Sequence, residues 1–257
     1  MNTKIRFYTI IFICLMTAYS CVPMKKSSTL PASSDQLLLV LTDSANAITG
    51  FMYCYERQSD KNTWFLSADR FPVMVGRNGL GRGIGLHQAS DLVSLPGKEE
   101  GDGKSPAGIF TLSKVFGYAP ADQMAGLKIP YIPITGMTEC IDDVKSSHYN
   151  QIVSKEKTEP FDWNSSEKMH SAGIFYELGV VVSHNQNPVN KGCGSCIFLH
   201  NWSDSIVPTS GCTSMAPTNM KHIAFWIDKQ KNPILVQLTW QDYGDLKKKW
   251  KLPEVPF

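Results

Sequence analysis

The sequence predicts a mainly β protein built around one core, and two observations carry that prediction. Short apolar runs bounded by Gly, Pro, Asn and Asp recur from Gln36 to Val189, and clear helical periodicity shows in one segment only. From Gln36 onward the chain is long enough for one substantial core and too short for two comfortable ones.

In chain order, Leu37 to Leu41, Ile48 to Tyr55 and Phe71 to Val75 read as strands, followed by Gly108 to Leu112, Tyr131 to Ile134 and Leu178 to Val182. Ile197 to Leu199 adds a short buried strand, and Ile234 to Leu238 the last. The glycine-rich stretch from Gly76 to Gly108 reads as turns and hairpins. Its Gly81-Arg82-Gly83-Ile84-Gly85 run lacks the following helix and the lysine-serine pair of a nucleotide loop. The one helix opens around Pro217 to Asn219 and runs through Met220, Ile223, Ala224 and Ile227, apolar positions recurring at three and four. The basic cluster Lys247 to Lys251 around Trp250 reads as a solvated terminal face.

Residues 1–21 stand apart from the fold. Lys4 and Arg6 precede the apolar run Phe7 to Met16, the charged and hydrophobic regions of a secretory signal. The run ends Ala18-Tyr19-Ser20-Cys21, which resembles a bacterial lipobox with Cys21 as the lipidated residue. Residues 22–35, rich in Ser, Pro and Lys, read as a flexible tether, leaving 36–257 as the folded domain. Once Lys4 and Arg6 leave with the signal, the 25 basic side chains fall to 23 against 23 acidic ones. A neutral surface gives no electrostatic case for nucleic acid.

Chemistry concentrates late in the chain. His200 closes the apolar run Ile197-Phe198-Leu199, and Cys212 follows twelve positions later in the small polar turn Thr209-Ser210-Gly211-Cys212-Thr213-Ser214. Taken singly, a core histidine and a small buried cysteine would explain each. Together they read as an acyl-transfer pair, because an imidazole near a thiol can take its proton and leave a strong nucleophile. Gly211 leaves the backbone before the sulfur unobstructed, as an attacking thiolate and an oxyanion pocket both need.

Of the seven cysteines, Cys54, Cys140, Cys193, Cys196 and Cys212 belong to the domain, an odd number that leaves at least one thiol free. Cys193-Gly194-Ser195-Cys196 is open to several readings: a redox pair, half of a zinc site with His200 and Cys212, a plain disulfide, or two inert thiols. The leading reading uses no metal. His87, His148, His170 and His222 have no partner motif and read as exposed or structural.

These segments together resemble the L,D-transpeptidase (YkuD-type) catalytic domain of bacterial cell walls. The likeness rests on Phe198-Leu199-His200 followed by Pro208-Thr209-Ser210-Gly211-Cys212, and on the turn Gly101-Asp102-Gly103-Lys104-Ser105-Pro106-Ala107-Gly108. Val75 to Gly81, Asp142-Asp143 with Ser147 to Asn150, and Asp162-Trp163 with Ser166 to Met169 extend it over nearly the whole domain. The resemblance implies a sandwich or partly closed barrel of mixed strands with a few short helices. It implies Cys212 as nucleophile, His200 as base, the Asn201 carbonyl as the imidazole's anchor, and the Gly211 and Cys212 amides as an oxyanion hole. Ser183-His184-Asn185 resembles a strand end that faces the cleft, which would put His184 and Asn185 near the substrate.

Ser210 and Ser214, also placed at the substrate, stand where most members carry histidine and arginine. The implied reaction is cofactor-free acyl transfer on peptidoglycan stem peptides, through a thioester, by a monomer lipid-anchored on the periplasmic face of the envelope. The alternatives are hydrolysis at the same site, as a carboxypeptidase or wall amidase, and a tethered peptidoglycan-binding protein with a structural zinc.

Overall fold

The computed structural model describes residues 29–57, 63–159 and 161–256. The secretory segment, Cys21 and residues 22–28 of the tether lie outside the described residues. The first strands are β1 (Gln36–Thr42), β2 (Thr49–Arg57), β3 (Trp64–Met74), β4 (Leu80–Arg82), β5 (Ser105–Gly117) and β6 (Tyr131–Pro133). Next come β7 (Thr138–Cys140), β8 (Ile152–Ser154), β9 (Glu167–Lys168), β10 (Leu178–Val182), β11 (Phe198–Asn201) and β12 (Thr213–Met215). Helix α1 (Pro217–Trp226), strand β13 (Ile234–Thr239) and helix α2 (Trp240–Trp250) follow.

Eight strands close into a mixed barrel in the order β10-β11-β12-β3-β2-β1-β13-β5, with β5 pairing back onto β10. The mainly β expectation is met, and the ring closes fully. Most neighbours are antiparallel, but β1–β13 and β11–β12 run parallel. Closure leaves the eight ring strands without a free edge, since each pairs on both sides. Strands β4 and β6 flank β5 in parallel, and β7, β8 and β9 make a separate small sheet.

Strand β1 is buried along its whole length. Helix α2 packs on β1 and β13, so both faces of β1 lie inside, and its sequence is a continuous Leu/Val run instead of an alternation. That helix corrects the reading of Lys247 to Lys251 as a merely solvated face. Tyr243, Leu246 and Trp250 recur at three and four and are buried, each side chain worth about 2 kcal/mol of burial. Thr239 caps the helix by accepting from the Asp242 N–H at 3.0 Å.

Residues 29–35, assigned to the tether by composition, are packed against this same end of the barrel. Leu30 is buried and its N–H donates to the Trp250 carbonyl at 3.0 Å, while Ser34 is 1% exposed. Among the described residues no helix is long and apolar enough to cross a membrane.

Candidate active site

The parallel pairing of β11 with β12 assembles the site. Leu199 lies opposite Thr213 and His200 opposite Ser214, so the same register sets Cys212 beside Phe198. The Phe198 N–H points at the Cys212 Sγ, 3.4 Å away. Because strand side chains alternate and partners share a face, Phe198, His200, Cys212 and Ser214 all project to one side. His200 and Cys212 open into one cavity of about 230 Å³, which Glu167, Tyr176, Ser210 and Ser214 also line.

The backbone of Cys212 is held from two directions. Its carbonyl accepts from the Ser105 Oγ at 2.7 Å and from the Thr209 Oγ1 at 2.6 Å. Ser105 is itself fixed by the Gly76 N–H, which donates to its Oγ at 2.8 Å. The Gly-Asp-x-x-Ser-Pro-x-Gly turn and the cysteine motif, over a hundred residues apart, therefore meet as brace and nucleophile candidate. Gly211 adopts φ +150°, and a Cβ there would lie 3.1 Å from the Lys104 carbonyl oxygen, so the position requires glycine.

Both titrating groups are neutral at rest. Burial lowers the His200 imidazole to about 4 against the help of its Asn201 contact. The Nδ1–H donates to the Asn201 carbonyl at 2.6 Å, which leaves Nε2 as the basic nitrogen. Burial and then the nearby Glu167 push the Cys212 thiol up to about 12, outweighing the opposing pull of the Phe198 N–H and Lys98. The thiol donates to the Cys196 carbonyl at 3.5 Å. Tyr176 packs its ring on His200, with centroids 5.5 Å apart, and its hydroxyl meets both the sulfur and the Glu167 carboxylate.

A second cavity of about 380 Å³ also reaches Cys212, lined by Arg77, Lys98, Glu100, Asp142 and Glu167 among others. Lys98 is buried and paired with Asp102 at 2.6 Å, so its charge is compensated within the turn. Arg77 at the rim donates to the Ser210 Oγ at 2.9 Å. The small sheet of β7, β8 and β9 forms the wall carrying Glu167, and it is tied to the site by a disulfide between Cys140 and Cys196. Glu139 anchors that wall. Burial would raise its carboxyl, but Lys168 at 2.6 Å, Ser166 and Trp163 hold it down at about 2.

Several expectations change. Cys196 bonds to Cys140, so it cannot pair with Cys193 as a redox couple or disulfide, nor can it ligate zinc beside His200 and Cys212. Cys54, Cys193 and Cys212 remain free thiols. His184 and Asn185 are buried behind the site and line neither cavity that reaches Cys212. His184 accepts from the Ile84 N–H at 3.2 Å and donates to the Cys193 carbonyl at 2.9 Å. Asn185 holds the Asn190 and Gly194 carbonyls, so the two residues shape the loop that leads into β11.

The Gly211 N–H, expected in an oxyanion hole, donates to Thr209 Oγ1 at 3.1 Å in this state. Ser210 and Ser214 line the cavity, and the Ser214 hydroxyl is buried without a hydrogen-bond partner among the described residues. His87 is buried against Phe110 and Trp250, whereas His170 and His222 are exposed. Sequence reasoning missed Arg77, Lys98, Ser105, Glu167 and Tyr176 as site residues. Arg77, Ser105 and Glu167 stood inside matched segments, but nothing in the sequence linked them to Cys212.

The geometry agrees with a comparison against known families: residues 49–236 match the model of YkuD, the L,D-transpeptidase catalytic domain. No curated protein and no solved structure matched the chain. Since the match covers well over half of the sequence, the chain belongs to the YkuD family of L,D-transpeptidase catalytic domains, whose function is directed at peptidoglycan.

Proposed function

We propose that this protein is an L,D-transpeptidase that carries the acyl group of a peptidoglycan stem peptide as a thioester on Cys212. The observation that carries the reading is the shared cavity of His200 and Cys212, with the imidazole oriented by the Asn201 carbonyl and the cysteine backbone braced by Ser105 and Thr209.

With both groups neutral, the thiol proton moves to His200 Nε2 as sulfur attacks the stem carbonyl, so imidazolium and oxyanion arise together and stabilise each other. The C–N bond then breaks, and His200 returns the proton to the departing amine, releasing D-alanine. An amine from a second stem attacks the thioester, the C–S bond breaks, and Cys212 recovers its proton. The cavity residues supply this chemistry without a cofactor.

The disulfide Cys140–Cys196 fits an oxidising compartment, in keeping with export and a lipid anchor at Cys21. Anchoring is tested by extraction: wild-type protein should require detergent and Cys21→Ala should not. Function is tested by incubating the purified protein with disaccharide tetrapeptides and scoring the products. Cross-linked dimers that vanish in Cys212→Ala support the transferase, shortened monomers alone would make it a carboxypeptidase, and unchanged substrate would refute both.

A further inference from the structure

The thioester formed under this proposed function must be resolved by an amine that arrives protonated in water, and something must take its proton. We infer that Glu167 is the base for the acceptor amine, acting in the second half of the reaction while His200 serves the thiol and the leaving group.

Glu167 lines both cavities that reach Cys212, a position shared with Ser210 and Cys212 itself. Its Oε1 accepts from the Tyr176 hydroxyl, which also faces the sulfur, so one carboxylate oxygen is anchored beside the thioester. Strand pairing fixes it further: Glu167 lies opposite Cys140 in the β7–β9 ladder, and Cys140 carries the disulfide to Cys196.

The surroundings suit an ammonium. The 380 Å³ cavity presents the carboxylates of Glu100, Asp142 and Glu167. Glu100 is engaged by Tyr149 and Ser195, and Asp142 by Ser165, so both are held in place at the wall. Of the cations there, Lys98 is paired with Asp102, and Arg77 sits at the exposed rim on Ser210. The groups acting directly on Glu167 are Tyr176, Asp142 and Cys212. Burial pushes its carboxyl up to about 7, the Tyr176 hydrogen bond opposing and Asp142 assisting. A carboxylate so placed is a far better proton acceptor than an exposed one, and better than the buried His200, lowered to about 4.

The protons balance. An R–NH3+ acceptor gives one proton to the Glu167 carboxylate and becomes R–NH2. Its nitrogen attacks the thioester carbon, and the C–N bond forms as the C–S bond breaks. The second nitrogen proton passes through His200 to the Cys212 sulfur, restoring the thiol. Glu167 then releases its proton to solvent.

Glu167→Gln keeps the shape and the hydrogen bond from Tyr176 but cannot accept a proton. The test loads Cys212 with a tetrapeptide donor, follows the adduct by mass, and compares two nucleophiles at neutral pH. One is a primary alkylamine, protonated in solution, and the other is hydroxylamine, largely neutral there. The expected result is that the variant still forms the adduct, loses alkylamine transfer relative to hydroxylamine transfer by on the order of a hundredfold, and loses the wild-type inflection of alkylamine transfer near pH 7. Equal alkylamine rates and pH profiles in the two proteins would overturn the assignment, as would a parallel loss with both nucleophiles, which marks a structural role. A variant unable to form the adduct would also overturn it, placing Glu167 in the first step. If the wild type itself forms no adduct, the proposed thioester reaction fails and the inference with it.

Discussion

At the residue scale, the informative fact is that His200 and Cys212 rest uncharged, both driven there by burial. A preformed thiolate–imidazolium pair would alkylate readily at neutral pH. Here Cys212 should react slowly with iodoacetamide below the alkaline range, and quickly only with a substrate that draws charge onto its carbonyl. The acid limb of acylation follows from the imidazole. Its neutral form is the competent one and persists down to about pH 4, so acylation should hold through pH 5 and fall near 4. A limb near the ordinary histidine value would show that His200 is more solvated in solution than its burial implies. Replacing His200 by alanine removes the proton acceptor and should slow acylation by roughly a hundred- to ten-thousandfold. A change under tenfold in stopped-flow adduct formation would remove His200 from the role.

At the element scale, the site depends on a turn and a wall that the strands alone do not supply. Ser105, in the first position of β5, reaches the Cys212 carbonyl, so Ser105→Ala should cost about 1 kcal/mol of stability. It should also slow acylation while Thr209 still holds the same oxygen. Thermal melts and adduct rates measured on the same variant check both. The disulfide closes a loop with a sequence separation of 56, worth about 4 kcal/mol in a chain-entropy account. Cys196 also carries the carbonyl that accepts from the Cys212 thiol, so reduction should lower the melting temperature and the activity together. Activity unchanged after verified reduction would show that the wall does not position the sulfur.

The strands named from sequence were the ones with apolar runs. Leu178 to Val182 coincides with β10, and Ile234 to Leu238 lacks one residue of β13. Those missed had a weaker signal: Thr213–Met215 is three residues long, and the outer part of β3 is largely exposed, its short Trp64-Phe65-Leu66 run broken off by Ser67, Asp69 and Arg70. Helix α2 was hidden by Gly244 and three lysines, although Tyr243, Leu246 and Trp250 kept its period. The pairing of Cys140 with Cys196 depends on how the separate β7–β9 sheet docks beside the start of β11, which no local sequence pattern encodes.

At the scale of the whole molecule, acid should unfold the protein in two windows. His184 and His200 are each lowered to about 4, so between the ordinary value of 6.5 and about 4 the unfolded chain binds more protons and stability falls with pH. Glu139 is held down at about 2, so its contribution is present above its ordinary value of 4.5 and is lost as pH falls toward 2. Glu139→Gln should flatten that lower window and cost on the order of 1 kcal/mol at neutral pH, because the lysines it leaves, Lys168 and Lys155, reach solvent. Chemical denaturation across pH reads both effects. The closed barrel was legible as a β fold with one core; what the sequence could not convey was that closure brings a turn near residue 105, a wall near 167 and a strand at 213 around one sulfur.

The central claim is that Cys212 forms the acyl intermediate. The most direct measurement is intact mass followed by peptide mapping after exposure to a carbapenem, an acylating mimic of the donor. The account predicts one equivalent of added mass, mapped to the peptide containing Cys212, absent in Cys212→Ala and strongly slowed in His200→Ala. Mass added at the half-buried Cys193 instead, or none in the wild type, would contradict it.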